Sequence, residues 1–283
     1  MEHFIETNGI TLHYLDYAGG AGEPLIMLHG LTANATNFGG LIQAGLAQNR
    51  RVILADLRGR GLTDKPDSGY TMADHAGDII GLLDALEMES VVLGGHSFGG
   101  LLTFYMAATF PERVKKLVII DAAAEAARTD VVELIRPSLQ RLERTMPSAD
   151  AFISAAKTVP YYHDGFWDEK LEAYYLADIE TLDDGSVRTR ARAAHIDQAI
   201  TGVLAEDWRE LLGKITQPVL FLHAPEGFGP PGTASVISVE GAQATQDMLK
   251  DCTYKQMPGN HITMVFGKNA PGIVKAIDSF IDG

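Results

Sequence analysis

The chain has 283 residues, 46% of them apolar, which is typical of one large α/β domain or two small ones. It carries 23 Lys and Arg against 37 Asp and Glu, which gives a formal net charge of −14 at pH 7. A surface this acidic repels phosphate groups, which argues against sequence-independent nucleic-acid binding and against docking on an anionic membrane.

Short apolar runs alternate with segments of helical periodicity, a pattern typical of a mostly parallel sheet covered by helices on both faces. Near-continuous apolar runs indicate strands that are buried on both sides. The predicted strands are 11–17, 24–29, 51–56, 91–95, 116–121, 218–223 and, with a weaker pattern, 253–257. Apolar residues at helical spacing predict helices over 74–86, 98–109, 240–250 and 270–281.

One interval, between Asp121 and Gln217, shows no convincing strand. A structureless loop of that length is implausible in a compact domain, so we expect a helical insertion at the carboxyl ends of the strands. We predict a core domain over 1–122 and 213–283, with the insertion over 123–212. The insertion is rich in aromatic side chains, which would form its own core or line an apolar substrate pocket. They are Phe152, Tyr161, Tyr162, Phe166, Trp167, Tyr174, Tyr175 and Trp208.

The segment Gly95-His96-Ser97-Phe98-Gly99 lies between a predicted buried strand and a predicted helix and matches the pattern G-x-S-x-G. In this setting the serine occupies a tight turn, and flanking glycines prevent collision with the neighbouring backbone. The helix that follows directs its N-terminus at the serine, where an oxyanion would be stabilised. A plain glycine-rich turn is the alternative, but the strand–turn–helix context disfavours it. By strand alternation, we expect His96 to point away from the face of Ser97.

With this motif the sequence resembles the α/β-hydrolase family over essentially the whole chain apart from the insertion. The resemblance implies a mostly parallel eight-stranded sheet flanked by helices, with the insertion as a helical cap after the sixth strand. It implies Ser97 as the nucleophile and His261 as the base. It also implies that the backbone N–H groups of Leu31 and Phe98 form the oxyanion hole. Other family-like segments are Leu28-His29-Gly30-Leu31, Asp56-Leu57-Arg58-Gly59-Arg60-Gly61 and Phe110-Pro111-Glu112-Arg113-Val114.

The residues themselves support the base and the first oxyanion donor. His261 follows a Gly-containing turn directly after the last predicted strand, and the base comes last in the chain order of this fold. Leu31 follows a buried strand, so its N–H can be presented at the strand end instead of pairing within the sheet. We interpret His29 as a structural residue that holds this loop, and Arg58 and Arg60 as braces of the loop after Asp56.

The acid is where the sequence departs from the family, which commonly places an Asp in the loop after the seventh strand. Here the loop 223–232 contains no Asp, and Glu226 is its one carboxylate. Glu can replace Asp, because the acid serves to orient the imidazole and stabilise its charge. The alternative is Asp121, at the end of the sixth strand. We prefer Glu226 on chain order and strand-end position, and either carboxylate could instead be structural.

A histidine-activated hydroxyl forms an acyl-enzyme that water then cleaves. We therefore expect a serine hydrolase that cleaves a small to medium apolar carboxylic ester. The alternatives are a lactonase, a thioesterase or a C–C bond hydrolase with the same triad, or a small-molecule receptor that retains it. Tyr161 and Trp167 are the candidates for substrate contact.

We expect no cofactor and no metal, because the sequence has no H-E-x-x-H motif, no paired Cys and no nucleotide-binding glycine pattern. Cys252 is the single cysteine, which favours a reducing compartment. We see no signal-peptide pattern, and no apolar run approaches the ~18–20 residues of a membrane span. The expectation is a cytoplasmic protein whose partner is a small apolar ester, with no nucleic acid and no membrane. A homodimer is compatible with the sequence.

Overall fold

The computed structural model describes residues 1–124, 132–133, 135–136, 139–162, 166–230 and 232–283. Its strands are β1 (Glu2–Thr7), β2 (Ile10–Tyr17), β3 (Gly22–Leu28), β4 (Arg50–Ala55), β5 (Val91–His96), β6 (Val114–Ile120), β7 (Thr145–Met146), β8 (Ile179–Thr181), β9 (Val187–Thr189), β10 (Val219–His223) and β11 (Cys252–Gln256). Its helices are α1 (Gly39–Gln43), α2 (Met72–Ala85), α3 (Phe98–Thr109), α4 (Ala149–Ala156), α5 (Glu169–Ala177), α6 (Ala193–Leu204), α7 (Trp208–Lys214), α8 (Val239–Met248) and α9 (Ala270–Asp282).

Eight of the strands form one sheet in the order β1-β2-β4-β3-β5-β6-β10-β11. β2 pairs antiparallel with β1 and β4, whereas the other neighbours pair parallel. The predicted mostly parallel eight-stranded sheet is therefore confirmed. The sequence pattern does not predict β1. This strand lies at the edge of the sheet with alternating burial, and it lacks the apolar run that marks the central strands.

Helices cover both faces of the sheet, because the central strands are apolar on both sides. Along β5, Leu93 packs in the apolar cluster with α2, α3 and α7, whereas Val92 packs in the opposite cluster with α1 and α9. All six residues of β5 are buried. The four predicted helices correspond to α2, α3, α8 and α9, and each predicted boundary lies within two residues of the observed one.

The insertion between β6 and β10 is not wholly helical, which corrects the sequence analysis. Besides α4, α5 and α6 it contains a small antiparallel sheet in the order β7-β9-β8. These strands have only two or three residues each, too few to show a period in the sequence. Residues 125–131, 134, 137–138 and 163–165 of the predicted cap lie outside the described residues.

The end of the predicted cap falls inside a helix. Position 212 lies within α7, whose residues Trp208, Leu211 and Leu212 are buried in the same apolar cluster as Leu101 of α3. Ala199 and Val203 of α6 belong to this cluster as well, so the insertion and the core share it. Among the described residues, no helix is long and apolar enough to cross a membrane.

A buried ion pair joins the loop after β4 to α2 and gives a test of the fold. Arg58 Nε donates to Asp78 Oδ2 at 2.6 Å, and the exposed fractions of the two side chains are 5% and 1%. Burial raises the pKa of Asp78, although Arg58 opposes the shift. We expect Arg58→Met to lower the free energy of unfolding by about 3–5 kcal/mol, because a buried carboxylate loses its partner.

The matched control is Lys115→Met, whose partner Glu23 is 47% exposed and whose own side chain is 44% exposed. Removal of that pair should cost about 1 kcal/mol or less. Urea unfolding of the two variants gives the comparison, and equal losses would contradict the buried-pair interpretation.

Candidate active site

Ser97 is the single residue between the end of β5 and the start of α3. Its backbone adopts φ 55° and ψ −120°, a left-handed conformation that is rare for a residue with a Cβ atom. Its N–H donates to the carbonyl of Ile120 on the neighbouring strand at 3.0 Å, which holds the turn in place. The strand–turn–helix context predicted for Ser97 is therefore present.

The glycines on either side of this turn leave no space for a side chain. A Cβ atom at Gly95 would lie 2.1 Å from the carbonyl oxygen of Gly99. A Cβ atom at Gly99 would lie 2.0 Å from the carbonyl oxygen of Leu28. These contacts are with backbone atoms that cannot rotate away, so both positions require glycine for steric reasons, as the motif suggests.

The structure pairs His261 with Asp121 and not with Glu226, which corrects the preferred assignment. His261 Nδ1 lies 2.6 Å from Asp121 Oδ2, and the side chains are 9% and 0% exposed. Asp121 directly follows β6 at φ 47°, and its Oδ1 accepts the N–H of Ala224 at 2.8 Å. Both carboxylate oxygens are thus engaged, one by the imidazole and one by the backbone.

Glu226 supports the histidine loop from the other side. It is exposed, and its Oε1 accepts the N–H of Gly259 at 2.7 Å, two residues before His261. Glu226 also forms an isolated parallel bridge with Asn260. The carboxylate therefore contacts the backbone of the loop and not the imidazole, which suits the structural role left open in the sequence analysis.

Two backbone N–H groups near Ser97 have no hydrogen-bond partner among the described residues, those of Leu31 and Phe98. Both residues line the same cavity as Ser97. The N–H of Phe98 belongs to the first turn of α3, where helix N–H groups lack intrahelical acceptors. The arrangement fits an oxyanion hole built from these two groups, the pair named by the family resemblance.

The peptide that carries the Leu31 N–H is held from its other end. The carbonyl of Gly30 accepts hydrogen bonds from His29 Nδ1 at 2.8 Å and from the N–H of Ala33 at 3.1 Å. His29 Nε2 accepts the N–H of Leu57 at 3.0 Å, which assigns the neutral tautomer with its proton on Nδ1. His29 is therefore structural, as the sequence analysis expects, and it orients the Leu31 N–H.

His96 faces the site and does not point away from it, contrary to the expectation from strand alternation. Its ring lies 4.7 Å from the ring of His261, and its Nε2 donates to the carbonyl of His261 at 2.7 Å. Asn37 lies 3.4 Å from the other ring nitrogen. Strand alternation fails here because His96 is the last residue of β5, where the chain already turns. The sequence carries no local signal for the contribution of Asn37.

Burial lowers the pKa of His96 well below its usual value, and the adjacent His261 acts in the same direction. At neutral pH a neutral His96 can therefore donate from Nε2 while its Nδ1 accepts, which matches the two observed contacts. His261 is thus held through its ring by Asp121 and through its carbonyl by His96.

A cavity of about 120 Å³ contains Ser97 and His261, and its lining is mainly apolar. It includes residues of the core and of the insertion, and none of the described lining residues is Lys, Arg, Asp or Glu. The apolar side chains around it are Leu31, Ala33, Phe98, Leu101, Val132, Ile135, Leu139, Ile200, Val203, Leu204, Phe228, Val236 and Ile262. Among the described residues, no group of three His, Cys, Asp or Glu is arranged to bind a metal ion.

Tyr161 and Trp167, the predicted substrate contacts, do not line this cavity. Tyr161 borders a second cavity of about 600 Å³, and its ring stacks on Phe228 at 4.7 Å. Phe228 borders both cavities and lies edge-on to His261 at 5.9 Å. Trp167 stacks on Tyr175 and donates to Glu172 at 3.0 Å. In the described part of the chain, the aromatic residues that line the cavity are Phe98, Tyr174 of the insertion and Phe228 of the loop after β10.

Comparison with known proteins places this geometry in a family. A model of the α/β hydrolase fold matches residues 23–229. The chain is 28% identical to 2-(acetamidomethylene)succinate hydrolase from Mesorhizobium japonicum, over 99% of this chain and 96% of that relative. The crystal structure of E-2-(acetamidomethylene)succinate hydrolase matches with a TM-score of 0.83 at 24% identity, over 100% of this chain and 99% of the other, which shows a shared fold.

A second relative matches over a shorter segment. The chain is 38% identical over 126 residues to cis-3-alkyl-4-alkyloxetan-2-one decarboxylase from Shewanella oneidensis. That alignment covers 43% of this chain and 39% of the relative, so it spans well under half of either protein.

The contacts of the two carboxylates predict opposite outcomes for their amide variants. We expect Asp121→Asn to slow labelling of Ser97 by a fluorophosphonate probe by about 10²–10⁴-fold, because the imidazole loses its orienting anion. Glu226→Gln should stay within about threefold of the wild type, because an exposed carboxylate contributes little. The labelling rate constants are measured by intact-protein mass spectrometry. A slow Glu226→Gln beside an unimpaired Asp121→Asn would restore the first assignment.

His29, which orients the Leu31 N–H, predicts a pH dependence of the free energy of unfolding. Burial lowers the pKa of His29 from 6.5 to about 4, with Arg60 acting in the same direction while Asp56 and the Gly30 carbonyl oppose it. His29 therefore takes up a proton near pH 6.5 in the unfolded chain, but only near pH 4 in the folded chain. The stability that neutral His29 provides above pH 6.5 is lost as the pH falls through this window, by up to about 1.4 kcal/mol per pH unit.

His29→Gln removes this titration. Its free energy of unfolding, measured by urea at pH 6 and pH 5, should fall less steeply than that of the wild type by about 1 kcal/mol per pH unit. Parallel slopes for the two proteins would show that His29 does not carry the effect.

Proposed function

The chain belongs to the α/β-hydrolase fold family, and we propose that it is a serine hydrolase that cleaves a small to medium apolar carboxylic ester through an acyl-enzyme. The arrangement of Ser97, His261 and Asp121 supports the chemistry. The apolar lining of the cavity around Ser97 supports the choice of substrate.

In the proposed reaction, Ser97 Oγ attacks the ester carbonyl carbon while His261 takes the hydroxyl proton. The carbonyl oxygen becomes an oxyanion, which accepts hydrogen bonds from the N–H groups of Leu31 and Phe98. The intermediate collapses, the C–O bond breaks, and the leaving alcohol takes the proton from His261. Water then attacks the acyl-enzyme by the same route, which releases the acid and restores Ser97. Asp121 holds the imidazole in its orientation and stabilises the imidazolium.

The proposed substrate class rests on one observation. None of the described residues that line the cavity is Lys, Arg, Asp or Glu. A carboxylate moved from water into such a lining would have no counter-charge, and its desolvation would be uncompensated. The relative that matches the whole chain is named for a succinate, which has two carboxylates. We therefore propose that this chain differs from that relative in preferring an uncharged substrate.

A cyclic ester is the second candidate. The relative from Shewanella is named for an oxetan-2-one, a four-membered cyclic ester, and its match supports a lactone as substrate. The same nucleophile, base and oxyanion donors would open the ring, and the acyl-enzyme would keep the leaving alcohol attached. A lactone series in the same assay separates this candidate from an acyclic ester.

A matched pair of chromogenic substrates tests the proposal. 4-Nitrophenyl butyrate and 4-nitrophenyl hydrogen succinate share a leaving group and a four-carbon acyl chain, but only the second carries a carboxylate. We expect kcat/KM to be roughly 100-fold higher for the butyrate, because the described residues of the cavity offer no charged partner to the carboxylate. Ser97→Ala should abolish turnover, and mass spectrometry of the wild type should detect the acyl group on Ser97.

Three outcomes would contradict the proposal. A preference for the succinate ester would reverse the substrate class. Undiminished turnover by Ser97→Ala would remove the nucleophile. Tight binding of esters without turnover would favour a receptor.

A further inference from the structure

Arg60 is a buried cation with an unusual set of contacts. The residue is 0% exposed. Its Nε donates to the carbonyl of Leu31 at 2.9 Å, and its Nη1 donates to the carbonyl of Arg58 at 2.7 Å. Its remaining nitrogen, Nη2, is buried without a hydrogen-bond partner. The guanidinium therefore contacts the loop that carries one of the two candidate oxyanion donors.

The same guanidinium packs on the residue that carries the other donor. Its central carbon lies 5.3 Å from the ring centroid of Phe98 and 5.8 Å from that of Tyr70. At these distances a cation is attracted by the face of an aromatic ring. Arg60 thus touches Leu31 by a hydrogen bond and Phe98 by its ring, and these two residues have the unpaired N–H groups.

No carboxylate of the described residues pairs with Arg60, which sets it apart from the other fully buried arginine, Arg50. Arg50 Nη2 lies 2.8 Å from Asp278 and 2.9 Å from Asp282, so its charge is balanced. A buried charge is expensive unless it is paired. Burial lowers the pKa of Arg60 to about 10, so it remains protonated at neutral pH. Arg60 therefore keeps a buried positive charge that no carboxylate of the described residues balances.

We propose that Arg60 is a positioning residue of the oxyanion hole, whose buried guanidinium fixes Leu31 and Phe98 and meets its counter-charge when the anionic tetrahedral intermediate forms. The charge of Arg60 and its hydrogen bond both favour formation of the tetrahedral intermediate. The hydrogen bond to the Leu31 carbonyl prevents this residue from rotating, while the unbalanced charge favours a state in which an anion lies nearby. Arg60 contacts no substrate atom in the proposed reaction. It therefore acts through the N–H groups of Leu31 and Phe98.

Two further bonds restrain the same loop but differ from Arg60 in charge balance. His29 holds the carbonyl of Gly30 as a neutral imidazole. Arg141 of the insertion donates to the carbonyl of Thr32 at 3.2 Å, and its charge is balanced by Asp178 at 3.2 Å. Three successive carbonyls of the loop are thus tethered, and Arg60 is the tether that brings unpaired charge.

This inference rests on the proposed function, and the experiment separates the two. The variants are Arg60→Met, which keeps bulk but removes the charge, and Arg60→Lys, which keeps the charge but loses the fork of donors. The matched control is Arg50→Lys, a change at an equally buried arginine outside the site. Active sites are first counted by fluorophosphonate labelling, so that misfolded protein does not enter the rates.

Two inhibitors give the readout. An alkyl trifluoromethyl ketone forms a tetrahedral oxyanion adduct with a serine nucleophile, whereas the matching methyl ketone binds mainly as the intact carbonyl. We expect Arg60→Met to lower kcat and the affinity for the trifluoromethyl ketone together, by about 10- to 100-fold per active site. KM and the affinity for the methyl ketone should change by about twofold or less. Arg60→Lys should show a smaller loss, and Arg50→Lys should match the wild type in all four quantities.

Equal losses for both ketones, or unchanged kcat and trifluoromethyl ketone affinity in Arg60→Met or Arg60→Lys, would overturn the positioning role and leave the proposed function intact. If Arg60→Met does not fold, Arg60→Lys alone decides between these results. A folded wild type that neither labels with the fluorophosphonate nor turns over an ester would instead overturn the proposed function.

Discussion

The left-handed turn at Ser97 is the constraint on which the rest of the site depends. One residue reverses the chain between β5 and α3, at a conformational cost of order 1–3 kcal/mol. The hydrogen bond from the Ser97 N–H to the carbonyl of Ile120 offsets that cost. The close backbone approach at Gly95 and Gly99 holds the turn in the same conformation. The result is a serine whose side chain projects from the sheet edge, with the unpaired N–H of Phe98 directly beside it.

Sheet order then decides what surrounds Ser97. β5 lies between β3 and β6, so the loop after β3 brings Leu31 to one side and the residue after β6 brings Asp121 to the other. The loop after β11 returns His261 across this edge to reach Asp121. Parallel strands end at the same edge of a sheet, which is why residues far apart in the sequence meet there.

The electrostatics of this edge are asymmetric. On the side of the histidine, the buried carboxylate among the described residues is that of Asp121. One of its oxygens contacts His261 and the other accepts a backbone N–H. On the side of the oxyanion donors, the buried Asp56 is engaged by His13 and by the N–H of Ala35, and His29 is neutral. Arg60 is charged there and has no carboxylate partner among the described residues. Preorganised positive charge and N–H dipoles near the reacting oxygen are the form of stabilisation that matters most in acyl transfer.

Local patterns in the sequence determined the α/β alternation, the bounds of α3, and the positions of Ser97 and His261 in their loops. Such features depend on neighbours along the chain: apolar period, a glycine on each side of a serine, a turn after a strand. β1 and the short strands of the insertion were missed because their patterns are too short or too exposed to register.

Tertiary structure decided which carboxylate meets His261, which way His96 faces and which aromatic rings border the cavity. Glu226 and Asp121 both follow strands, and their residue types alone do not separate them. The distance from each carboxylate to the imidazole depends on how β6, β10 and the histidine loop are placed in space. The same reason applies to Arg60, because an arginine in a loop reveals its missing counter-charge only when the residues packed around it are known.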